Sequence, residues 1–171
     1  FQANNFGEAY RLCELALKHD RDNATAMHLF GVLNAIRNDF PKALKFLNRA
    51  LKTNPHHPDL LVDKGKVLTE IGQTENAMLC FDEALSINER HTAALEYKAS
   101  TFLLLKRPEP ALGLLDSLLQ IVPNHVRALN NRGLALEELG RYDEAIDSLK
   151  RAIASDQQNP EIWVNLGNVL C

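Results

Sequence analysis

The chain has 171 residues, 46% hydrophobic and 24% charged, which is typical of a soluble protein with one domain or a short array of repeats. Its formal net charge of −3 gives no electrostatic reason to expect nucleic acid or an anionic membrane as a partner. Since no apolar run approaches the roughly 20 residues that span a bilayer, we expect no membrane insertion.

Small residues recur every 34 residues from one end of the chain to the other. One series has alanine at positions 9, 43, 77, 111 and 145, and a second has glycine or alanine at positions 31, 65, 99, 133 and 167. A fixed period without insertion indicates a repeat array, in which each unit buries its apolar face against its neighbours.

The period predicts a series of helix pairs. Residues 1–23 hold a lone second helix over residues 5–19. In the last full unit, Gly140 ends the first helix, and apolar residues at helical spacing follow it. Because the chain starts and stops inside a unit, we expect it to be part of a longer array. Four full units follow, at residues 24–57, 58–91, 92–125 and 126–159. Residues 160–171 hold the first helix of a truncated unit.

The motifs of these units resemble the tetratricopeptide repeat (TPR). "WVNLG", with Trp163, Leu166 and Gly167, and "GRYDEAI", from Gly140 to Ile146, follow the pattern of that family at its period. The resemblance implies an all-α fold, a TPR α-solenoid of stacked antiparallel helix pairs forming a right-handed superhelix. Stretches such as "LKRPEPAL" also resemble the N-terminal arrays of bacterial SPINDLY-type O-linked N-acetylglucosamine transferases.

Catalytic and metal-ligating candidates are isolated. His56 and His57 lie in the turn between two units without a third ligand at suitable spacing. Glu137 and Glu138 are adjacent in a helix and point about 100° apart, so they do not face one substrate together. No zinc, nucleotide or acyl-transfer motif is present, and we expect no enzyme activity, cofactor or metal site in this chain.

The predicted binding surface lies on the first helix of each unit. Positions 2, 6, 9 and 13 of the repeat fall on the side away from the second helix and line up in a stacked array. The resemblance implies that this surface, here called the first-helix stripe, is a concave groove that holds peptides. Its candidate partner-binding residues are Leu29, Val32, Ile36, Asp63, Lys66, Tyr97, Leu104, Arg127, Asn131, Leu134, Asn165 and Asn168.

Two chemical features of the stripe indicate what it binds. Leu29, Ile36 and Leu104 are apolar where a solvated helix face should be polar, which favours a binding surface over packing within the array or against another domain. Asn131 and Asn165 share position 6 and can each donate to and accept from a peptide backbone. Because carboxylates outnumber cations on the stripe, we expect an extended peptide that is apolar and neutral to basic.

The leading prediction is a non-catalytic protein–protein interaction scaffold that binds an extended peptide or partner chain. Two alternatives stay open: a substrate-recruiting arm of a larger SPINDLY-type glycosyltransferase, and a self-assembling structural array. Self-association is expected through the lone helices at both ends, which leave apolar strips uncovered. Three widely spaced cysteines without a C-x-x-C motif fit a reducing compartment, and we expect a cytoplasmic location.

Overall fold

The computed structural model describes the backbone of residues 2–170 and the side chains of residues 6–170. Within that range the chain forms ten α-helices and no β-strand, so the predicted all-α class is confirmed. No helix among the described residues is long and apolar enough to cross a membrane. The helices are α1 Gln2–His19, α2 Ala24–Ile36, α3 Phe40–Thr53, α4 Pro58–Glu70, α5 Thr74–Ile87, α6 Thr92–Leu104, α7 Pro108–Ile121, α8 Val126–Glu138, α9 Tyr142–Ser155 and α10 Pro160–Leu170.

The helices alternate between two constant lengths. The first helices α2, α4, α6 and α8 each have 13 residues, and the second helices α3, α5, α7 and α9 each have 14. α1 has 18 residues and begins at Gln2, earlier than the residue 5 expected from the period.

In each of the four complete pairs, a residue with positive φ lies two residues after the end of the first helix. A left-handed residue after a helix lets the chain reverse while its N–H groups bond back to the last turn. In the last of these turns, the Arg141 N–H donates to the Leu136 carbonyl at 2.8 Å. Glycine adopts this conformation without strain, asparagine tolerates it and lysine favours it least. The four residues are Asn38 (59°), Gly72 (76°), Lys106 (56°) and Gly140 (70°).

The two helices of a pair approach most closely at a glycine of the first helix. A Cβ added to Gly31 would lie 2.8 Å from Leu47 Cγ, and one added to Gly133 would lie 2.6 Å from Leu149 Cγ. Gly65 faces the Phe81 ring in the same way. A large side chain of the second helix therefore fills the space above each of these three glycines.

Two compact units divide the chain, Phe1–Glu89 and Arg90–Cys171. The core of the first unit is formed by residues of α2, α3 and α4, among them Met27, Leu47 and Leu60. The core of the second unit includes Leu129, Leu149 and Ile162 of α8, α9 and α10. Burial of such side chains is the main favourable term in the folding of each unit.

Replacement of Gly133 by alanine tests the close approach of α8 and α9. The added methyl group would meet the buried Leu149 side chain, so Gly133→Ala should lower the free energy of unfolding by about 1–3 kcal/mol. The matched control is Gly113→Ala in α7, where an added Cβ has no heavy atom within 4 Å. This control should be neutral or more stable by up to about 1 kcal/mol, because alanine is the better helix former. Equal effects of the two substitutions in urea unfolding would contradict the packing described here.

Candidate functional site

The apolar part of the stripe in the first unit lies on α2. Leu29 is 47% exposed and Ile36 is 64% exposed, and Val32 between them is half-buried. Successive members of this set are three and four residues apart, so the three side chains share one helix face. A run of exposed apolar side chains on a helix that also packs into the core provides an apolar surface for a partner.

The polar part of the stripe in the first unit is held by a bond between α2 and α4. His28 Nε2 lies 2.7 Å from Asp63 Oδ2, and Lys66 Nζ donates to Asp63 Oδ1 at 3.0 Å. Burial of the carboxyl would raise the pKa of Asp63, but the hydrogen bonds from His28 and Lys66 outweigh it and lower that pKa. Asp63 and Lys66 therefore hold each other in place on the stripe.

In the second unit the stripe combines an exposed leucine with an oriented aromatic ring. Leu104 is 65% exposed at the end of α6, while Tyr97 and Leu134 are half-buried. The Arg127 guanidinium lies 5.5 Å from the centroid of the Tyr97 ring, within the range of a cation–π contact. This contact joins α8 to α6 within the stripe.

A buried carboxylate lies beneath this region. The Glu96 side chain is 9% exposed, with Arg127 Nη1 2.8 Å from its Oε1 and His125 Nε2 3.6 Å from its Oε2. The Arg127 contact is an ion pair without hydrogen-bond alignment, since Oε1 has no hydrogen-bond partner in the described structure. The cation offsets part of the cost of burying the carboxylate, so this ion pair links Arg127 of α8 to Glu96 of α6.

The two stripe asparagines make hydrogen bonds between successive first helices. Asn131 Nδ2 donates to Ser100 Oγ at 3.0 Å, which joins α8 to α6. Asn165 Nδ2 donates to Oδ1 of the buried Asn130 at 2.9 Å, which joins α10 to α8. Both amides therefore join successive first helices through their nitrogens. Asn168, one turn after Asn165, is exposed.

Sequence reasoning missed the partners at position 5 of the repeat. His28 and Asn130 occupy this position, and each contacts the position-6 residue 35 positions later, Asp63 and Asn165 respectively. Glu96 is the buried carboxylate at the same position. A polar residue at position 5 followed 35 residues later by another polar residue is the sequence signal for such a contact.

The isolated candidates for chemistry are not brought together. His57 precedes α4 and its ring lies edge-on to His28, with centroids 5.9 Å apart. Glu138 is bonded to Lys106 at 2.7 Å. Among the described residues, no group of three or more histidine, cysteine, aspartate or glutamate side chains is placed to hold a metal ion.

Family models match three segments of the chain. The model described as "Tetratricopeptide repeat" matches residues 35–96, and the one described as "TPR repeat" matches residues 138–170. A third, described as "Anaphase-promoting complex, cyclosome, subunit 3", matches residues 70–152. These matches support the tetratricopeptide repeat family and do not support the narrower resemblance to SPINDLY-type glycosyltransferases.

A curated relative and solved structures give a consistent result. Protein FlbA of Caulobacter vibrioides is 24% identical over 170 residues, and the match spans 99% of this chain but only 23% of FlbA. MamA of Desulfovibrio magneticus RS-1 has a TM-score of 0.79 at 23% identity, covering 86% of this chain and 84% of that one. YrrB, titled "a TPR protein with an unusual peptide-binding site", has a TM-score of 0.75 at 21% identity, covering 95% of this chain and 84% of YrrB. The structural likeness concerns the fold.

The pH dependence of stability tests the bond at Asp63. Because its pKa in the folded protein lies below the ordinary 3.8, the contribution of Asp63 is fully present above that value and is lost as the pH falls through the lowered pKa. Near neutral pH, Asp63→Asn should cost about 1 kcal/mol, the difference between a charged and a neutral hydrogen bond. Urea unfolding near pH 7 and near pH 2.5 should show that this difference shrinks in acid. The exposed control Asp147→Asn should show little difference at either pH, and a cost for Asp63→Asn that is independent of pH would contradict the assignment.

Proposed function

We propose that this chain, which has the tetratricopeptide repeat fold, is a non-catalytic protein–protein interaction scaffold that binds an extended peptide along its first-helix stripe. Proteins with this fold generally mediate protein–protein interactions, and stacked repeats present extended surfaces suited to this role. The observation that carries the proposal is the exposure of Ile36 and Leu104, 64% and 65%, on helices whose opposite faces are buried in the core. A partner that covers these side chains gains the free energy of apolar burial.

The second unit offers the more complete set of contacts for a peptide. Leu104 and Leu134 would pack against apolar peptide side chains, and the Tyr97 ring would lie beside them. Asn131 would accept a hydrogen bond from a peptide N–H through its carbonyl oxygen, because its amide nitrogen is already bonded to Ser100. A backbone contact of this kind is independent of peptide sequence, while the apolar contacts select for leucine-like side chains.

The charges of each unit favour a neutral or basic peptide. In the second unit, three carboxylates and two cations lie on or beside the stripe: Glu96, Glu138 and Glu161, with Lys106 and Arg127. In the first unit, the stripe carries Asp59, Asp63 and Glu70 with Lys66 as its cation. An excess of carboxylates in both units disfavours an acidic peptide and steers a basic one toward the surface.

A pair of leucine substitutions tests the proposed surface. Leu104→Ser should weaken binding of a leucine-rich peptide with two lysines by roughly 1–2 kcal/mol, because one apolar contact is lost. The control is Leu79→Ser on the second helix α5, since Leu79 is 66% exposed and so matches the 65% of Leu104. Calorimetric titration of the full chain measures both variants. Equal weakening by both substitutions, or by neither, would rule out the first-helix stripe as the binding surface.

Self-association is a second candidate function, favoured by exposed apolar side chains on α1 and α10. Leu12 and Leu15 are exposed on α1, and Trp163 and Val164 are exposed on α10. Gly167 also has no heavy atom within 4 Å of an added Cβ, whereas the matching glycines Gly31, Gly65 and Gly133 each lie beneath a large side chain. Sedimentation of the purified chain should show assembly that grows with concentration and is reduced by Leu12→Ser with Val164→Ser. A single monomeric species up to about millimolar concentration would exclude this function.

The cysteines support a reducing, cytoplasmic location for the proposed scaffold. Cys13 and Cys80 are free thiols buried in separate helix pairs. Burial raises the pKa of both thiols, which keeps them protonated and poorly reactive. Their role is that of small apolar core residues.

A further inference from the structure

A cleft of about 660 Å³ lies in the first unit, between α1 and α3 and away from the first-helix stripe. Its lining combines the aromatic side chains Phe30 and Phe46 with four cationic side chains and one carboxylate, Glu14. We propose that this cleft is a second binding site and that its ligand is an acidic peptide segment with an apolar side chain between two carboxylates. The site is independent of the scaffold function proposed above.

The floor of the cleft is a packed aromatic cluster. The Phe30 and Phe46 rings meet edge to face with centroids 4.7 Å apart, and the Tyr10 ring lies 4.6 Å from that of Phe30. Phe30 is buried, while Phe46 is half-buried and turns part of its ring toward the cleft. An apolar peptide side chain laid on Phe46 would be removed from water at a surface that is already formed.

The cationic lining comes from both sides of the cleft. Lys18 lies on α1 and Arg21 follows it, while Lys42 and Arg49 lie on α3 with Phe46 between them. Lys42 and Arg49 are seven residues apart, so their backbone positions are separated by two helical turns, about 10 Å. Because Glu14 is the only carboxylate of the cleft lining, the cleft carries a clear excess of positive charge.

Two of these cations are held in position by the aromatic cluster. Lys42 Nζ donates to Tyr10 Oη at 2.6 Å and lies 5.0 Å from the centroid of Phe30. The Arg49 guanidinium lies 5.5 Å from the Phe46 centroid and donates to the Arg21 carbonyl at 2.5 Å. An ammonium has three donors and a guanidinium five, so each retains donors for a ligand carboxylate. Asp22 lies 3.9 Å from Arg49, but its side chain is 89% exposed and screens the guanidinium only weakly.

The positive charge is not a requirement of the repeat itself. If packing of the helix pairs demanded cations at these four positions, the same positions in other repeats would carry them. One repeat later, the residues corresponding to Lys18, Arg21, Lys42 and Arg49 are Lys52, Pro55, Asn76 and Glu83. Three repeats later, they are Gln120, Pro123, Glu144 and Arg151.

The spacing of the cations indicates the form of the ligand. In an extended peptide alternate side chains share one face and the chain rises about 3.3 Å per residue, so carboxylates four residues apart lie on one face about 13 Å apart, within reach of the long, flexible Lys42 and Arg49 side chains. A residue between them would place its side chain over Phe46, which lies between the two cations on the same face of α3. The preferred partner is therefore opposite in charge to the one proposed for the first-helix stripe.

The test uses the full chain and a synthetic hexapeptide, blocked at both ends, with two glutamates four positions apart and a leucine midway between them. Calorimetry should show saturable binding that weakens with added salt. The charge reversal Lys18→Glu with Arg21→Glu should raise the Kd by roughly tenfold or more, because it removes two cations and adds two like charges. The matched control is Lys45→Glu with Lys52→Glu on α3, which changes net charge by the same amount outside the cleft lining. The control should change the Kd less than about threefold.

A second variant and a second peptide make the outcome decisive. Arg49→Gln removes one cation of the cleft without reversing charge and should also raise the Kd, while thermal unfolding checks that each variant is folded. Leu104→Ser, which tests the first-helix stripe, should leave the affinity for the acidic hexapeptide unchanged. Absence of binding, equal weakening by the cleft and control variants, or equal affinity for a hexapeptide with lysines in place of glutamates would each overturn the proposal.

Discussion

The close approach of each first helix to its partner is the constraint on which the rest of this structure depends. In three pairs a glycine lies directly against a leucine or phenylalanine of the second helix: Gly31 with Leu47, Gly65 with Phe81, and Gly133 with Leu149. In α6 the same position is Ala99, which is fully buried, so the pair α6–α7 accommodates one methyl group. Because the crossing point fixes the rotation of the first helix, it also decides which residues that helix turns away from its partner.

The repeat then places those residues in register from one first helix to the next. Hydrogen bonds between side chains 31 or 35 residues apart join successive first helices, as in Asn131 with Ser100 and His28 with Asp63. These contacts use part of the hydrogen-bonding capacity of the stripe and leave its apolar side chains exposed. The proposed binding surface therefore combines exposed apolar side chains with polar groups whose positions are already set by the array, which would reduce the entropy lost on binding.

Much of the fold could be predicted from the sequence, because a period of small residues is a direct consequence of close helix packing. The left-handed turn at Gly140 was predictable for the same reason, since glycine is the residue that adopts it without strain. Lys106 adopts positive φ at the corresponding position, which no local preference indicates. Periodicity does not by itself specify the Glu96–Arg127 ion pair or the hydrogen bond from Asn165 to Asn130. Both contacts depend on the displacement between successive helices and on the reach of the side chains. The cleft between α1 and α3 was not predicted, because its residues come from two different repeats and form no motif in the sequence.

The central claim is that the first helices, and not the second helices, present the surface that binds a leucine-rich, neutral-to-basic peptide. The most direct measurement is a titration of the isotope-labelled chain with a leucine-rich, lysine-containing peptide, followed by the amide resonances of each residue. Resonances of Leu29, Ile36, Tyr97, Leu104 and Asn131 should shift progressively with peptide concentration, while those of α3, α5, α7 and α9 should stay in place. Shifts confined to the second helices, or none at peptide concentrations near one millimolar, would contradict the account.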